Sequence, residues 1–293
     1  MLRILNKSVS LNPSRLASRP ASPLQLAAGP ILTAVALAAG SMQAGAALIA
    51  YEGFNYTPTS TSTTNLVGEN GGTGWNGAWG AHQNNPASAP SISSTGLSYT
   101  GLPSEGGSIT PGGYQSARRS FTTTDFSTGT FYISYLVQPT SNTADLGIRL
   151  SPTTTDPNPD FRTAFGIVNG AVTITNGWGN DPKLNTDNTT VALNQTHLLV
   201  AKINLDSETI SLFLNPTAGA AEPGTASASY QWTNETNRLS SIGMLTAGAI
   251  PGNGGMLDEI RVGNSFADVT AVPEPSSAAL LAFGVLGLMR RRR

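Results

Sequence analysis

Apolar and polar residues alternate through the middle of the chain with the period of two that marks a half-buried strand. Phe131, Ile133, Tyr135 and Val137 share one face. Phe161, Thr163, Phe165 and Ile167 share another, with Arg162, Ala164 and Gly166 opposite. Asn169-Gly170 follows as a tight hairpin turn, since both residue types tolerate positive φ, and Val172 and Ile174 return inward. The clearest hairpin runs from Leu199 to Leu214. Leu199, Ala201, Ile203 and Leu205 alternate with Lys202 and Asn204, Asp206 to Thr209 turn the chain, and Ile210, Leu212 and Leu214 come back on one face. Weaker strands are predicted at Leu48 to Tyr51, Gly96 to Tyr99, Arg118 to Phe121, Asp145 to Leu150, Arg238 to Leu245 and Leu257 to Val262. Gly, Pro, Ser, Thr and Asn clusters separate them. No amphipathic helix is predicted between residues 47 and 271. About ten short strands in this style predict an all-β fold, a two-sheet antiparallel jelly-roll sandwich.

The two ends follow another logic. Residues 1–46 read as an export signal peptide: Arg3, Lys7, Arg15 and Arg19 precede a Leu/Ala-rich stretch that is most apolar from Ile31 to Ala39. Ala44 and Ala46 supply small residues at the −3 and −1 positions of a cleavage site, with cleavage after Ala44 as a second option. At the other end, Pro273-Glu274-Pro275 precedes an apolar run from Ala278 to Met289 and the cluster Arg290, Arg291, Arg292 and Arg293. As a helix that run rises only about 18 Å, against a hydrocarbon core of about 30 Å. The arginines favour the cytoplasmic side, which puts the body across the membrane from them. The reading is therefore a signal at 1–46, one domain at 47–271 and a sorting or anchoring segment at 272–293.

The Pro-Glu-Pro triplet, the apolar helix and the basic tail, in that order, resemble the PEP-CTERM sorting signal of exported bacterial proteins. The resemblance implies recognition by an exosortase-type membrane protease near Pro273, Glu274 and Pro275, with transient inner-membrane anchoring. It also implies a destination in the cell envelope, cell surface or extracellular matrix, and an association with exopolysaccharide. A plain C-terminal membrane anchor is the alternative. A second resemblance lies in the body. Tyr51-Glu52-Gly53-Phe54-Asn55-Tyr56, then Gly71-Gly72-Thr73-Gly74-Trp75-Asn76-Gly77-Ala78-Trp79, are similar to the opening of LamG-like, concanavalin A-type jelly rolls. Leu257-Asp258-Glu259-Ile260-Arg261-Val262-Gly263 is similar to their closing strand.

Composition narrows the chemistry. The 293 residues include no Cys and two His, which excludes disulfides, thiolate zinc sites and thiol nucleophiles. The net charge of −1 conceals a contrast: residues 47–271 hold 8 basic against 16 acidic side chains, a charge of −8. That balance excludes nucleic acid as a partner and makes cation-assisted association easier than direct attraction to an acidic polysaccharide.

No catalytic residue is assigned. Retaining glycosidases need two carboxylates roughly 5–5.5 Å apart, and no strand carries the E-x-D-x-E pattern. Asp258 and Glu259 are adjacent, so a regular strand sends them to opposite faces. Asp206 and Glu208 sit in a turn. No G-x-S-x-G elbow accompanies His82 or His197. No cofactor is certain. Calcium is the possible one, with Asp156 and Asp160 in a candidate loop and a second candidate loop from Asn180 to Asp187. Sugars stack on indoles, so Trp178 with Asn176 and Asn180, and Trp75 and Trp79, are the candidate ligand-binding residues. The alternative for Trp75 and Trp79 is that they cover an open end of the core. The expected function is a non-catalytic surface or matrix protein that associates with polysaccharide or mediates adhesion. The alternatives are a glycoside hydrolase or lyase, and a purely structural envelope component.

Overall fold

The structure is a computed structural model, and it describes residues 48–57, 65–81, 89–112, 115–122, 126–152, 163–176, 183–232, 242–249 and 254–271. Fifteen strands run in chain order among these residues. They are β1 (Leu48–Glu52), β2 (Trp75–Ala81), β3 (Ser91–Ser93), β4 (Ser108–Thr110) and β5 (Ser116–Phe121). Next come β6 (Thr130–Pro139), β7 (Asp145–Ser151), β8 (Thr163–Val168), β9 (Ala171–Thr175) and β10 (Lys183–Thr190). The last five are β11 (His197–Asn204), β12 (Thr209–Leu214), β13 (Ala228–Gln231), β14 (Met244–Ala249) and β15 (Gly255–Gly263). One short helix, α1 (Phe266–Thr270), follows.

Two antiparallel sheets result. The first is ordered β13-β12-β11-β6-β15-β4-β3, with β1 also paired to β15, and the second is ordered β10-β9-β8-β7-β14-β5-β2. The chain passes repeatedly from one sheet to the other, with β1, β3 and β4, β6, β11 to β13 and β15 in the first and the rest in the second. This back-and-forth winding is the jelly-roll plan predicted from the alternation.

Period-two alternation fills the space between the sheets. Phe131, Ile133, Tyr135 and Val137 of β6 join Leu199, Ala201 and Ile203 of β11. They face Leu146, Ile148 and Leu150 of β7 and Phe165 and Ile167 of β8. The Asn169-Gly170 turn forms as predicted, with φ of 51° and 73°. The β11–β12 hairpin pairs Leu199 with Leu214 and Ile203 with Ile210.

The outer face of the first sheet is also covered. Tyr132, Leu136, Leu198, Val200 and Phe213 form a second cluster with Leu97, Leu102 and the α1 residues Phe266 and Val269. Here the structure corrects the prediction of no helix. Ser265 caps α1: its hydroxyl accepts from Asp268 N at 3.1 Å, and the Asp268 carboxylate accepts from Ser265 N at 2.9 Å. That capping box starts a single helical turn, too short to show a helical period in the sequence.

A second correction concerns Gly96 to Tyr99, which form no strand; Tyr99 and Leu102 make only an isolated bridge. The Leu97 amide is taken by the Asp258 carboxylate at 2.7 Å, so it is lost to any ladder. Gly96 is needed for this folding, because a Cβ there would lie 2.8 Å from the Gly106 carbonyl oxygen. The predicted strand from Arg238 to Leu245 begins instead at Met244, and residues 238–241 lie outside the described residues.

Candidate functional site

The segments singled out in the sequence meet in a buried polar network. Alternation turns Ala50 and Glu52 of β1 inward, and Ala117, Arg119 and Phe121 of β5 inward to meet them. Arg119 Nη1 lies 2.6 Å from Glu52 Oε2, and both side chains are about 1% exposed. The same carboxylate accepts from Trp79 Nε1 at 2.9 Å, the Tyr56 hydroxyl at 2.8 Å and Phe54 N at 2.9 Å. Arg119 also donates to the carbonyls of Gly71 and Gly77 and to Asn70 Oδ1. Its guanidinium sits 5.5 Å from the Trp75 ring and 5.7 Å from the Trp79 ring, within cation–π range. Burial beside the Glu52 charge holds the Tyr56 hydroxyl well above its ordinary pKa.

This geometry corrects the sugar-stacking expectation for Trp75 and Trp79. Trp79 is 1% exposed and Trp75 is 8% exposed. Trp75 Nε1 donates to the Tyr51 carbonyl at 2.8 Å, and its ring stacks on Phe121 at 5.1 Å. Neither indole is open to stack on a sugar, and both belong to the main core cluster. Asn176 follows β9 and is half-buried. Trp178 and Asn180 lie outside the described residues, as do the calcium candidates Asp156 and Asp160. The cleavage positions Ala44 and Ala46 and the sorting residues Pro273, Glu274, Pro275, Arg290, Arg291, Arg292 and Arg293 lie outside them too. Among the described residues no group of three or more His, Asp or Glu side chains is placed to hold a metal ion.

A second polar cluster corrects the placement of Asp258 and Glu259. The β15–β6 register shifts between Asp258 and Arg261, and Glu259 takes φ of 54°. This bulge defeats strict alternation. Asp258 accepts from Leu97 N at 2.7 Å, and Glu259 accepts from Glu105 N at 2.5 Å, so both carboxylates hold the same 95–107 loop. Glu259 also accepts from the Tyr51 hydroxyl and pairs with Arg261, which donates to the Pro103 carbonyl. Burial pushes the Asp258 carboxyl up to about 8, against the opposing pull of the Leu97 amide. Burial also raises Glu259, offset by the Glu105 amide and Arg261. His197 is a structural residue. Its Nε2 lies 2.9 Å from the Ala192 carbonyl, which can only accept, so Nε2 carries the proton and Nδ1 accepts from Asn215 Nδ2.

Described residues line one open cleft with a volume of about 650 Å³. It lies where the β3–β4 edge meets the start of β15 and the segment before β5. Alternation sends Ile92 and Ile109 into the core, and Ser91, Ser93 and Thr110 therefore face outward. Thr95, Gln115, Thr140 and Met256 add to the wall, and among the described residues no charged side chain lines it. None of these residues stands out in the sequence as a candidate for binding. The signal available was the pair of tripeptides Ser-Ile-Ser and Ser-Ile-Thr, each polar-apolar-polar.

The folded body is similar to several solved structures. One is domain 4 of AbnA, a GH43 extracellular arabinanase from Geobacillus stearothermophilus, in complex with arabinotriose. It is 15% identical over 78% of this chain and 98% of that one, with a TM-score of 0.45. Another is lectin I-B4 from Griffonia simplicifolia in metal-free form, 9% identical over 72% and 98%, with a TM-score of 0.38. A third is the heptameric SAP-like pentraxin of Limulus polyphemus, 13% identical over 56% and 80%, with a TM-score of 0.37. The fold assignment rests on this chain's own strand order. No curated protein sequence matches the chain. Residues 271–293 match the PEP-CTERM protein-sorting motif, so the chain carries an exported-protein sorting signal, read by an exosortase, immediately after α1.

Proposed function

We propose that this is a non-catalytic exported protein of the cell surface or extracellular matrix that associates with polysaccharide. The observation that carries the reading is the order of parts: a closed all-β sandwich that ends at α1, followed at residue 271 by the sorting motif. The non-catalytic part draws support from the buried acids. Glu52, Asp258 and Glu259 all accept hydrogen bonds from backbone amides or from Trp and Tyr side chains of the fold. Oxygens held in this way are poorly placed to protonate a leaving group or attack a sugar carbon. Carbohydrate-binding proteins among the similar structures are compatible with the reading, which does not depend on them.

The test uses the secreted protein and the producing organism's own matrix polysaccharide. Co-sedimentation with the polymer and no release of new reducing ends is the expected result. Release of reducing ends, or of unsaturated ends, identifies a hydrolase or lyase and overturns the reading. Failure to co-sediment leaves a purely structural envelope component.

Processing gives a separate prediction. In this proposal the C-terminal segment anchors the chain transiently in the inner membrane and is then removed near Pro273, Glu274 and Pro275. Intact-mass analysis of the secreted protein is expected to show a chain without the four terminal arginines. A secreted form that retains Arg293 counts against exosortase handling.

A further inference from the structure

We propose that the cleft at the β3–β4 edge binds an uncharged sugar chain, an assignment that rests on the polysaccharide reading above and names its site. Size is the first argument. About 650 Å³ falls within the roughly 300–1,000 Å³ of small-ligand sites. The second argument is the chemistry of the wall. Its polar side chains are hydroxyls and one amide, groups that both donate and accept, as sugar hydroxyls do. Met256 and Pro111 add apolar surface, which suits the C–H faces of a pyranose.

The third argument is availability. Among the described residues, the side-chain hydroxyls of Ser91, Thr110 and Thr140 make no hydrogen bond. Gln115 is fixed in orientation. The Gly112 amide, which can only donate, reaches Gln115 Oε1 at 2.6 Å, so the oxygen must face it and the Nε2 donors are left for the cleft. A Cβ on Gly112 would lie 3.0 Å from that oxygen, so the glycine permits the close approach. Charge is the fourth argument. The described wall carries none and the 47–271 body carries −8, so an anionic polymer gains nothing from these residues and is repelled at long range.

The experiment titrates the secreted protein with three soluble neutral polymers, a β-glucan, a mannan and a galactan, and with alginate as the anionic comparison. Wild type is compared with Gln115→Ala and with Thr110→Trp, which blocks an exposed position. Thermal midpoints within a few degrees of wild type confirm that both variants fold. The expected result is saturable binding of at least one neutral polymer, weakened roughly tenfold or more by each variant, and no cleft-dependent binding of alginate. Neutral binding that both variants leave unchanged overturns the cleft assignment and leaves the polysaccharide reading standing. Cleft-dependent binding of alginate overturns the neutral class. Binding to none of the four polymers overturns the cleft proposal, and the polysaccharide reading falls with it only if the organism's own matrix polymer also fails to co-sediment.

Discussion

Replacing Arg119 with methionine is expected to destabilise the fold by about 3–5 kcal/mol, the range found when one member of a buried ion pair is removed. The loss has two parts. Glu52 loses its partner in a site where both side chains were about 1% exposed, and among the described residues Trp79, Tyr56 and Phe54 remain as its donors. The carbonyls of Gly71 and Gly77 and the Asn70 side chain also lose their donor, a smaller loss because Gly77 and Asn70 are exposed and water can replace the guanidinium there. Against a total stability of about 5–15 kcal/mol, that is a large fraction. For a domain of this size it lowers the melting midpoint by roughly 10 °C or more. Chemical denaturation of wild type, Arg119→Met, Glu52→Gln and the double variant measures the coupling. The double variant should be clearly less destabilised than the sum of the singles. An Arg119→Met protein within 1 kcal/mol of wild type would sink the account of this network.

Stability is expected to fall as pH rises from about 4 to about 8, and Asp258→Asn is expected to flatten that slope. The sign follows from the raised carboxyl. An unfolded Asp releases its proton near 3.9, whereas folded Asp258 holds its proton up to about 8. Between those values the folded chain binds more protons, so acid favours it. The advantage is complete below the unfolded pKa and is lost as pH rises through the folded one. Glu259 is raised too and adds in the same direction. The ideal limit of about 1.4 kcal/mol per pH unit is an upper bound, because Arg261 and the Leu97 and Glu105 amides pull the other way. A slope of a few kcal/mol across the range is the expectation. Asparagine keeps one acceptor and cannot titrate, so the variant costs more relative to wild type at pH 5 than at pH 9. Denaturation midpoints at half-unit pH steps provide the check. A wild-type profile that is flat from pH 5 to 8 would contradict the raised value.

These sites differ in how far the sequence exposed them. Long alternating segments were legible because each buries one whole face. β6, the β11–β12 hairpin and the Asn169-Gly170 turn appear where the pattern put them. β2 was not legible as a strand, since Trp-Asn-Gly-Ala-Trp-Gly reads as loop chemistry. Its extended form depends on packing that comes from elsewhere in the chain, the Phe121 ring and the Arg119 guanidinium. β3 and β4 are three residues each, below the length at which alternation is distinguishable from chance. The cleft they border was invisible for the same reason. At Asp258 and Glu259 the rule itself misled. A bulge breaks the alternation, and the usable hint was two adjacent acids, with Arg261 close behind, in a strand whose other side chains are apolar, since buried charges must be paired or neutralised.

The position of β15 has a consequence for the timing of folding. The last of the described strands lies inside the first sheet, bonded to β6 on one side and to β1 and β4 on the other. Leu48 meets Gly263, so the sheet joins the two ends of the body. A chain delivered N-terminus first therefore cannot complete its first sheet until its final segment arrives. β1, β3 and β4 must wait for it, and contacts over such sequence distances form slowly. The second sheet and the β6–β11–β12–β13 part of the first can pair without it, so β15 is the piece that closes the first sheet between partners already in place.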